Sequence, residues 1–300
     1  MELRQLEAFY WIVRLGSFNA AAKALNTTQP AISMRIRELQ RDLGVALFDT
    51  ATRRAHLTAK GRDLFDYAES MLNLASTIHS RMGDPAMLSG HIRVGATETI
   101  ALTWLPDLVG RMNEAYPQIV LELEIGLTLD LWAKLSSGEF DVVMLPGPIL
   151  EVGLEWHHLG RIDYSWMASP SLGYQDRVLS PQDLEQVPIL SLPKASSLHV
   201  DTERWFRSST VNPNRVYFCN SLNVVSALTK SGLGVSLLPP EIFAEAVTSG
   251  ELCILDVQPA MPPLDFFVAC AQKPVSPLPI VVAETAMAVT RFRDAGSLSR

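Results

Sequence analysis

The sequence predicts an α/β protein in two parts: a small helical head extended by one long helix, and a larger body of two α/β lobes. Three observations carry that reading. Residues 1–60 hold nine Lys and Arg against five Asp and Glu, net +4, so the rest of the chain holds -11 of a total of -7. Up to Gly44, and again from Leu64 to Met82, the apolar residues recur every three or four positions, the period of helices packed by one face. From residue 91 onward strand-like runs alternate with helical ones, the order that βαβ units impose. A length of 300 residues suits two domains. With 48% hydrophobic and 19% charged residues, the chain has the apolar side chains for folded cores rather than long disorder.

In the head, Leu3, Leu6, Phe9, Tyr10 and Val13 mark the buried face of a first helix that Gly16 ends. Ser17 caps a second, "FNAAAKALN", whose inward Ala21, Ala22 and Leu25 permit close approach of a neighbour. Thr27 or Thr28 caps a third, which carries Pro30 in its first turn, where a missing N–H costs nothing, and runs to Gly44. Two short helices joined by a tight turn make a helix-turn-helix geometry. On the third helix Ile32, Ile36, Leu39 and Leu43 share the core side, while Pro30, Ser33, Met34, Arg37 and Arg41 share the other, with Gln29 at the tip. Short side chains near the start let the backbone approach base edges in a DNA major groove, and arginines further along reach phosphates. Solvated arginines on an ordinary surface helix would give the same charge, but the preceding helix and turn favour DNA.

"ALFDTATRRAHLTAKG" reads as a two-stranded wing built on Leu47, Phe48, Ala55 and Leu57, with Arg53 and Arg54 at its tip, suited to an adjacent minor groove or backbone. Thr58 caps a long helix in which Leu64, Ala68, Met71, Ala75, Ile78 and Met82 step by four and three, a heptad seam through which two copies dimerise. "GDPAMLSG" then serves as a linker. These limits give a DNA-binding domain over 1–58, a dimerisation helix over 59–87 and a body over 88–300.

The body's strand-like runs are "HIRVGA", "IVLELEIG" and "DVVMLPG", with helices beginning near Thr99 and Thr128. A second set comes after them: "YSWMAS", "PILSL", "RVYFC" and "GVSLLP"; after "LDFFVACA" a last helix runs from Ser276 to about Arg293. The alternation predicts parallel sheets in two lobes, lobe I over about 91–161 and 269–300 and lobe II over about 162–268. Ligands of such folds sit in the cleft, at loops that open helices. No apolar run approaches the roughly 18 residues of a membrane span, and "MELRQLEAFYWIV" lacks a basic leader, so the protein is expected in the cytoplasm and away from membranes. Cys219, Cys253 and Cys270 read as reduced core thiols, and the His157-His158 doublet has no partner at ligand spacing, so neither metal nor cofactor is expected. GxSxG, GxGxxG, HExxH and P-loop patterns are absent, and neither Cys219 nor His199 has a triad context, so no enzyme is expected.

"GSFNAAAKALNTTQPAISMRIRELQRDLGVALFDTATRRAHLTAKG" resembles, nearly residue for residue, the N-terminal signature of LysR-type transcriptional regulators. "YPQIVLELEIG", "LSSGEFDVVM" and "SGLGVSLLP" resemble weaker motifs of that family's effector domain. The resemblance implies a winged helix-turn-helix, a linker-helix dimer, and a two-lobed effector domain similar to periplasmic solute-binding proteins. It also implies dimers paired into tetramers that bind and bend an interrupted palindrome near a promoter, with a small-molecule effector changing the bend and RNA polymerase as a further partner. The family's DNA-contacting positions fall on Gln29, Pro30, Ser33 and Met34, with Arg53 in the wing; Thr28, Arg37 and Arg54 beside them complete the expected interface. Met34 departs from the polar or basic residue of many members, and its thioether offers only apolar contact, as with a thymine methyl. Thr50 stands where an arginine is common, which removes one phosphate contact.

The family's effector pocket is assembled here from "ATETIA", the loop of Thr128, and second-lobe loops near Ser196 and Asn220; with Pro146 this gives Thr97, Glu98, Thr99, Thr128, Pro146, Ser196 and Asn220 as the expected lining. Thr97 and Thr99 offer hydroxyls to a ligand or cap the helix they open. Glu98 either faces the pocket, where it repels an anion or pairs with an amine, or points outward and complements the helix dipole. The alternative from another class, a solute-binding protein without a regulatory role, is disfavoured by the DNA-reading head and the missing export signal.

Overall fold

The computed structural model describes residues 1–25, 27–49, 56–82, 88–147, 153–271 and 276–293. The chain divides into two compact units, the first spanning Met1–Gly90 and the second most of the chain from His91 onward.

In the first unit, α1 (Leu3–Leu15) closes at Gly16, whose φ of 64° is the left-handed conformation that glycine adopts without strain. α2 (Phe18–Ala24) starts where Ser17 Oγ accepts from Ala20 N at 3.4 Å, and α3 (Gln29–Leu43) where Thr28 Oγ1 accepts from Ala31 N at 3.4 Å. Thr28, not Thr27, is therefore the cap. α3 ends at Gly44, again left-handed. α4 (Ala59–Met82) begins under Thr58, whose Oγ1 accepts from Gly61 N at 3.0 Å. Leu6, Ala8, Phe9, Ile12, Ala21, Ile32, Ile36, Leu39, Leu47 and Ala68 form one core among these helices. Leu3 and Leu43, expected inside, are exposed at helix ends, and Ala8 and Ile12 carry α1's inner face instead. The wing is fixed at its base by the antiparallel pair Phe48 and Leu57; its expected tip, Arg53 and Arg54, lies outside the described residues, as does Thr50.

α1 sets which face of α4 looks inward. Tyr10 and Phe65 stack at 5.5 Å, and Arg14 lies 5.6 and 5.4 Å from their ring centroids while its Nη2 donates to Glu69 Oε1 at 2.8 Å. That clamp turns Ala68 fully into the head's core and packs Leu64 against it. The heptad seam read from the sequence is thus corrected: Leu64 and Ala68 are taken by α1, and Ala75 is half-buried. The exposed apolar stripe runs one step round the helix through Tyr67, Met71, Leu74 and Ile78, which keeps the four-three spacing of a heptad.

The second unit contains two five-stranded sheets. β1 (Ser89–Ala96), β2 (Gln118–Ile125), β3 (Val142–Pro146), β4 (Leu154–Ile162) and the late β10 (Leu264–Ala271) order as β2-β1-β3-β10-β4. β5 (Ser165–Ala168), β6 (Ile189–Ser191), β7 (Val216–Phe218), β8 (Val235–Leu238) and β9 (Cys253–Ile254) order as β7-β6-β8-β5-β9. α5 (Glu98–Ala101), α6 (Leu105–Ala115), α7 (Thr128–Ser136) and α12 (Leu278–Val289) accompany the first sheet. α8 (Pro181–Glu185), α9 (Ser197–Ser208), α10 (Leu222–Lys230) and α11 (Ala244–Thr248) accompany the second.

The sheets are mixed, not parallel as the alternation predicts. β1 runs parallel to β3, and β6 to both β7 and β8, but β10 is antiparallel to β3 and β4, and β5 to β8 and β9. The cause is connectivity: the chain crosses between lobes from β4 to β5 and returns from β9 to β10, so each crossing strand enters its sheet against the direction of the βαβ strands. Lobe I accordingly regains the chain at Leu264, before the expected 269. β4 itself carries Glu155, His157, His158 and Arg161 and shows no apolar run, which is why it reads poorly as a strand. Gly160 on β4 has a φ of 110°, and an added Cβ would lie 2.8 Å from the carbonyl oxygen of Phe292.

Gly61 tests the head's packing. Replacement of a helical glycine by alanine ordinarily gains about 1 kcal/mol, but here the new Cβ would lie 2.2 Å from the Leu47 carbonyl oxygen. Gly61→Ala should instead destabilise the head by about 1–3 kcal/mol, seen as a lower midpoint in thermal unfolding; a stabilised variant would contradict the described contact.

Candidate functional site

Two surfaces concentrate the expected residues, one on each unit. On α3, Thr28, Gln29, Pro30, Met34, Arg37 and Arg41 are exposed and Ser33 is half-buried. The Thr28 hydroxyl is engaged as the cap. Gln29 Nε2 donates to Ser33 Oγ at 2.9 Å and Arg37 Nε donates to the Ser33 carbonyl at 3.3 Å, so the polar groups of this face are held in one row along the helix. Such a row restricts rotamers before any partner arrives, which lowers the ordering cost of binding. Met34 is 53% exposed, an apolar tip with no packing role in the head.

In the second unit, Thr97, Glu98, Thr99, Thr128, Pro146, Ser196 and Asn220 all line one cleft of about 770 Å³ between the lobes. Lobe I contributes the starts of α5 and α7, and lobe II those of α9 and α10. The turn after β1 is held by Thr97 N, which donates to the Met144 carbonyl at 3.1 Å. Thr99 is buried, and its Oγ1 is 2.9 Å from Tyr164 Oη. Burial pushes the Tyr164 phenol far above its ordinary range, so it stays a neutral hydroxyl. Thr128 Oγ1 accepts from Ser197 N at 3.3 Å, and Leu129 N donates to the Ala195 carbonyl at 2.9 Å, so the starts of α7 and α9 meet across the cleft.

Of the two orientations open to it in the sequence, Glu98 takes the one that faces the cleft, and it is also bonded there. It reaches across to lobe II, where Oε1 accepts from Ser221 Oγ at 2.8 Å and Oε2 from Leu222 N at 2.5 Å, with Asn223 N 3.5 Å from Oε1. A carboxylate on the first turn of α10 satisfies N–H groups that have no partner within the helix and complements its dipole. Sequence reasoning missed Tyr164, Ser197 and Ser221, because each meets its partner only across the lobes. It also missed Glu124 and Lys134, whose ion pair at 2.5 and 2.7 Å lies on the cleft wall.

Among the described residues no group of three or more His, Cys, Asp or Glu could hold a metal, and no helix is long and apolar enough to cross a membrane. His158, instead of ligating, bonds Asp265 Oδ1 at 2.8 Å beside Arg161.

Comparison with known proteins bears on both surfaces. A family model described as bacterial regulatory helix-turn-helix protein, lysR family, matches residues 3–62, and one for the LysR substrate binding domain matches residues 85–283. The chain is similar to the HTH-type transcriptional regulator CzcR of Bacillus subtilis (strain 168), 26% identical over 252 residues that cover 84% of this chain and 85% of that one. It is similar also to the HTH-type transcriptional regulator GltR of the same organism, 28% identical over 252 residues and 84% of each chain. Its structure resembles that of Corynebacterium glutamicum OxyR, a C206 mutant, with a TM-score of 0.75 and 25% identity over 96% of this chain and 92% of that one. These relatives are regulators, not solute-binding proteins without a regulatory role.

The Glu98 bridge has a measurable weight. Hydrogen bonds to a charged group contribute about 1.5–3 kcal/mol, and Glu98 is half-exposed to water, so Glu98→Ala should lower the stability of the second unit by about 1–2 kcal/mol, with Glu98→Gln losing less. Equal unfolding midpoints for all three proteins would show that the bridge contributes nothing.

Proposed function

The chain belongs to the LysR family of transcriptional regulators, with a helix-turn-helix head and an effector-binding body, and from that premise we propose how its parts divide the work. α3 lies in the major groove of promoter DNA. Gln29 and Ser33 meet base edges near its start, Met34 rests against an apolar group such as a thymine methyl, and Arg37 and Arg41 hold phosphates. Arg53 and Arg54 of the wing contact the backbone or the neighbouring minor groove. Two copies pair through Tyr67, Met71, Leu74 and Ile78 of α4, and two dimers bind an interrupted palindrome as a tetramer. A small molecule in the cleft changes the relation of the lobes and thereby the DNA complex, which RNA polymerase reads at the promoter. The protein acts in the cytoplasm, where that DNA is, and carries out no chemical turnover.

The observation that carries this reading is the outward face of α3, where Gln29, Met34, Arg37 and Arg41 are all exposed and Ser33 is tied between Gln29 and Arg37. A face serving only solubility gains nothing from such alignment. The acidic remainder of the chain, net -11 beyond residue 60, limits attachment to nucleic acid elsewhere on the surface.

Gel retardation of the DNA upstream of its own gene should show sequence-selective, salt-sensitive binding. Arg37→Ala should weaken it for every sequence alike and make the dependence of log K on log salt shallower by about 1; an unchanged slope would move the phosphate contact off Arg37. Met71→Asp places a charge in the centre of the exposed stripe of α4 and should yield monomers by light scattering, whereas persistent dimers would assign association to another surface.

A further inference from the structure

Resting on the reading of the cleft as the effector site, we propose that its ligand is an ammonium compound: it enters with a protonated amine and a net positive charge, not as a carboxylate or phosphate.

Four charged side chains line the cleft, Glu98, Glu124, Asp130 and Lys134, a formal -2. Lys134, the one cation among them, is already held by both oxygens of Glu124. Helix N-termini are the other places where an anion binds, because their first N–H groups are free and the dipole is positive there. In this cleft two of the three long helices already carry their own carboxylate: Glu98 sits on α10, and Asp130 lies in the first turn of α7. The third, α9, has its first N–H on Thr128 Oγ1, with Ser196 at its N-cap position making no side-chain cap bond and no acid in its first turn. That end suits a neutral oxygen of the ligand, a hydroxyl or carbonyl.

The independent sign of a ligand is Thr97. It is 8% exposed, it lines the cleft, and its Oγ1 is buried without a hydrogen-bond partner. A buried hydroxyl left unpaired is costly; it accepts from a ligand N–H or donates to a ligand oxygen, so it marks a ligand contact, and the charge of that ligand is set by the carboxylates of the wall. An anionic ligand at the start of α10 would have to displace Glu98, and anywhere in the cleft it meets a wall of formal charge -2. A cation meets no such opposition, and the closed bridge from Glu98 to α10 can remain in place.

Matched probes separate the cases. The full-length protein in about 150 mM salt, where exposed charges are screened, is unfolded thermally with putrescine against succinate and with glucosamine against glucose. The expected result is that at least one amine raises the midpoint by about 5–10 °C when present at a hundred times its dissociation constant, while succinate does not. Asp130→Asn and Thr97→Val, two isosteric changes, should each weaken amine binding at least tenfold without lowering the midpoint of the free protein by a comparable amount. Stabilisation by succinate and not by the amines overturns the proposal, as does stabilisation by neither, or amine binding that both variants retain in full. Gel retardation with the same preparations keeps the two readings apart. Selective DNA binding with a succinate response sinks only the ammonium assignment, and an amine response without selective DNA binding sinks only the regulator's proposed mode of action.

Discussion

The carboxylate of Glu98, carried on lobe I, rests on the first turn of α10 in lobe II, and the character of the cleft depends on that contact. It joins the two lobes at one side, as the Thr128 to Ser197 contact joins them at another. It also bears on the electrostatics, because one helix N-terminus of the cleft is filled from within the chain. The walls of the cleft are thus tied together by the chain's own side chains. The hydrogen bond between Thr99 and Tyr164 adds a contact on the crossing from β4 to β5, where burial keeps the phenol neutral.

The connectivity of the body makes such contacts possible. Two crossings between lobes, β4 to β5 and β9 to β10, bring the ends of β1 and β3 opposite the starts of α9 and α10. The same crossings reverse β5 and β10, so the mixed sheets and the ring of helix starts around the cleft have one cause. In the head, the corresponding constraint is the clamp of Arg14 between Tyr10, Phe65 and Glu69. By fixing which face of α4 is consumed by α1, it decides which apolar stripe stays exposed.

What the sequence made legible was local. Caps at Ser17 and Thr28, stops at Gly16 and Gly44, and the division of α3 between Ile32, Ile36 and Leu39 on one side and Met34 and Arg37 on the other all depend on residues within a few positions. The stripe of α4 was legible in its spacing but not in its phase: Leu64, Ala68, Met71 and Tyr67, Met71, Leu74 are both heptad-like, and only the neighbour α1 selects between them. Strand direction was out of reach, since βαβ alternation says nothing about where the chain leaves a lobe. The cleft's lining was named from a family resemblance, whereas its bonds join residues as far apart as Glu98 and Leu222. No periodicity reports a contact of that range.

Whether α3 reads a specific operator as part of a symmetric assembly is tested most directly by hydroxyl-radical footprinting of the DNA upstream of the protein's own gene. Two or more protected half-sites are expected on one face of the duplex, spaced by about 10–10.5 base pairs or multiples of it, with protection that persists against competitor DNA. Uniform protection along the fragment, lost entirely as competitor is added, would contradict that role for α3.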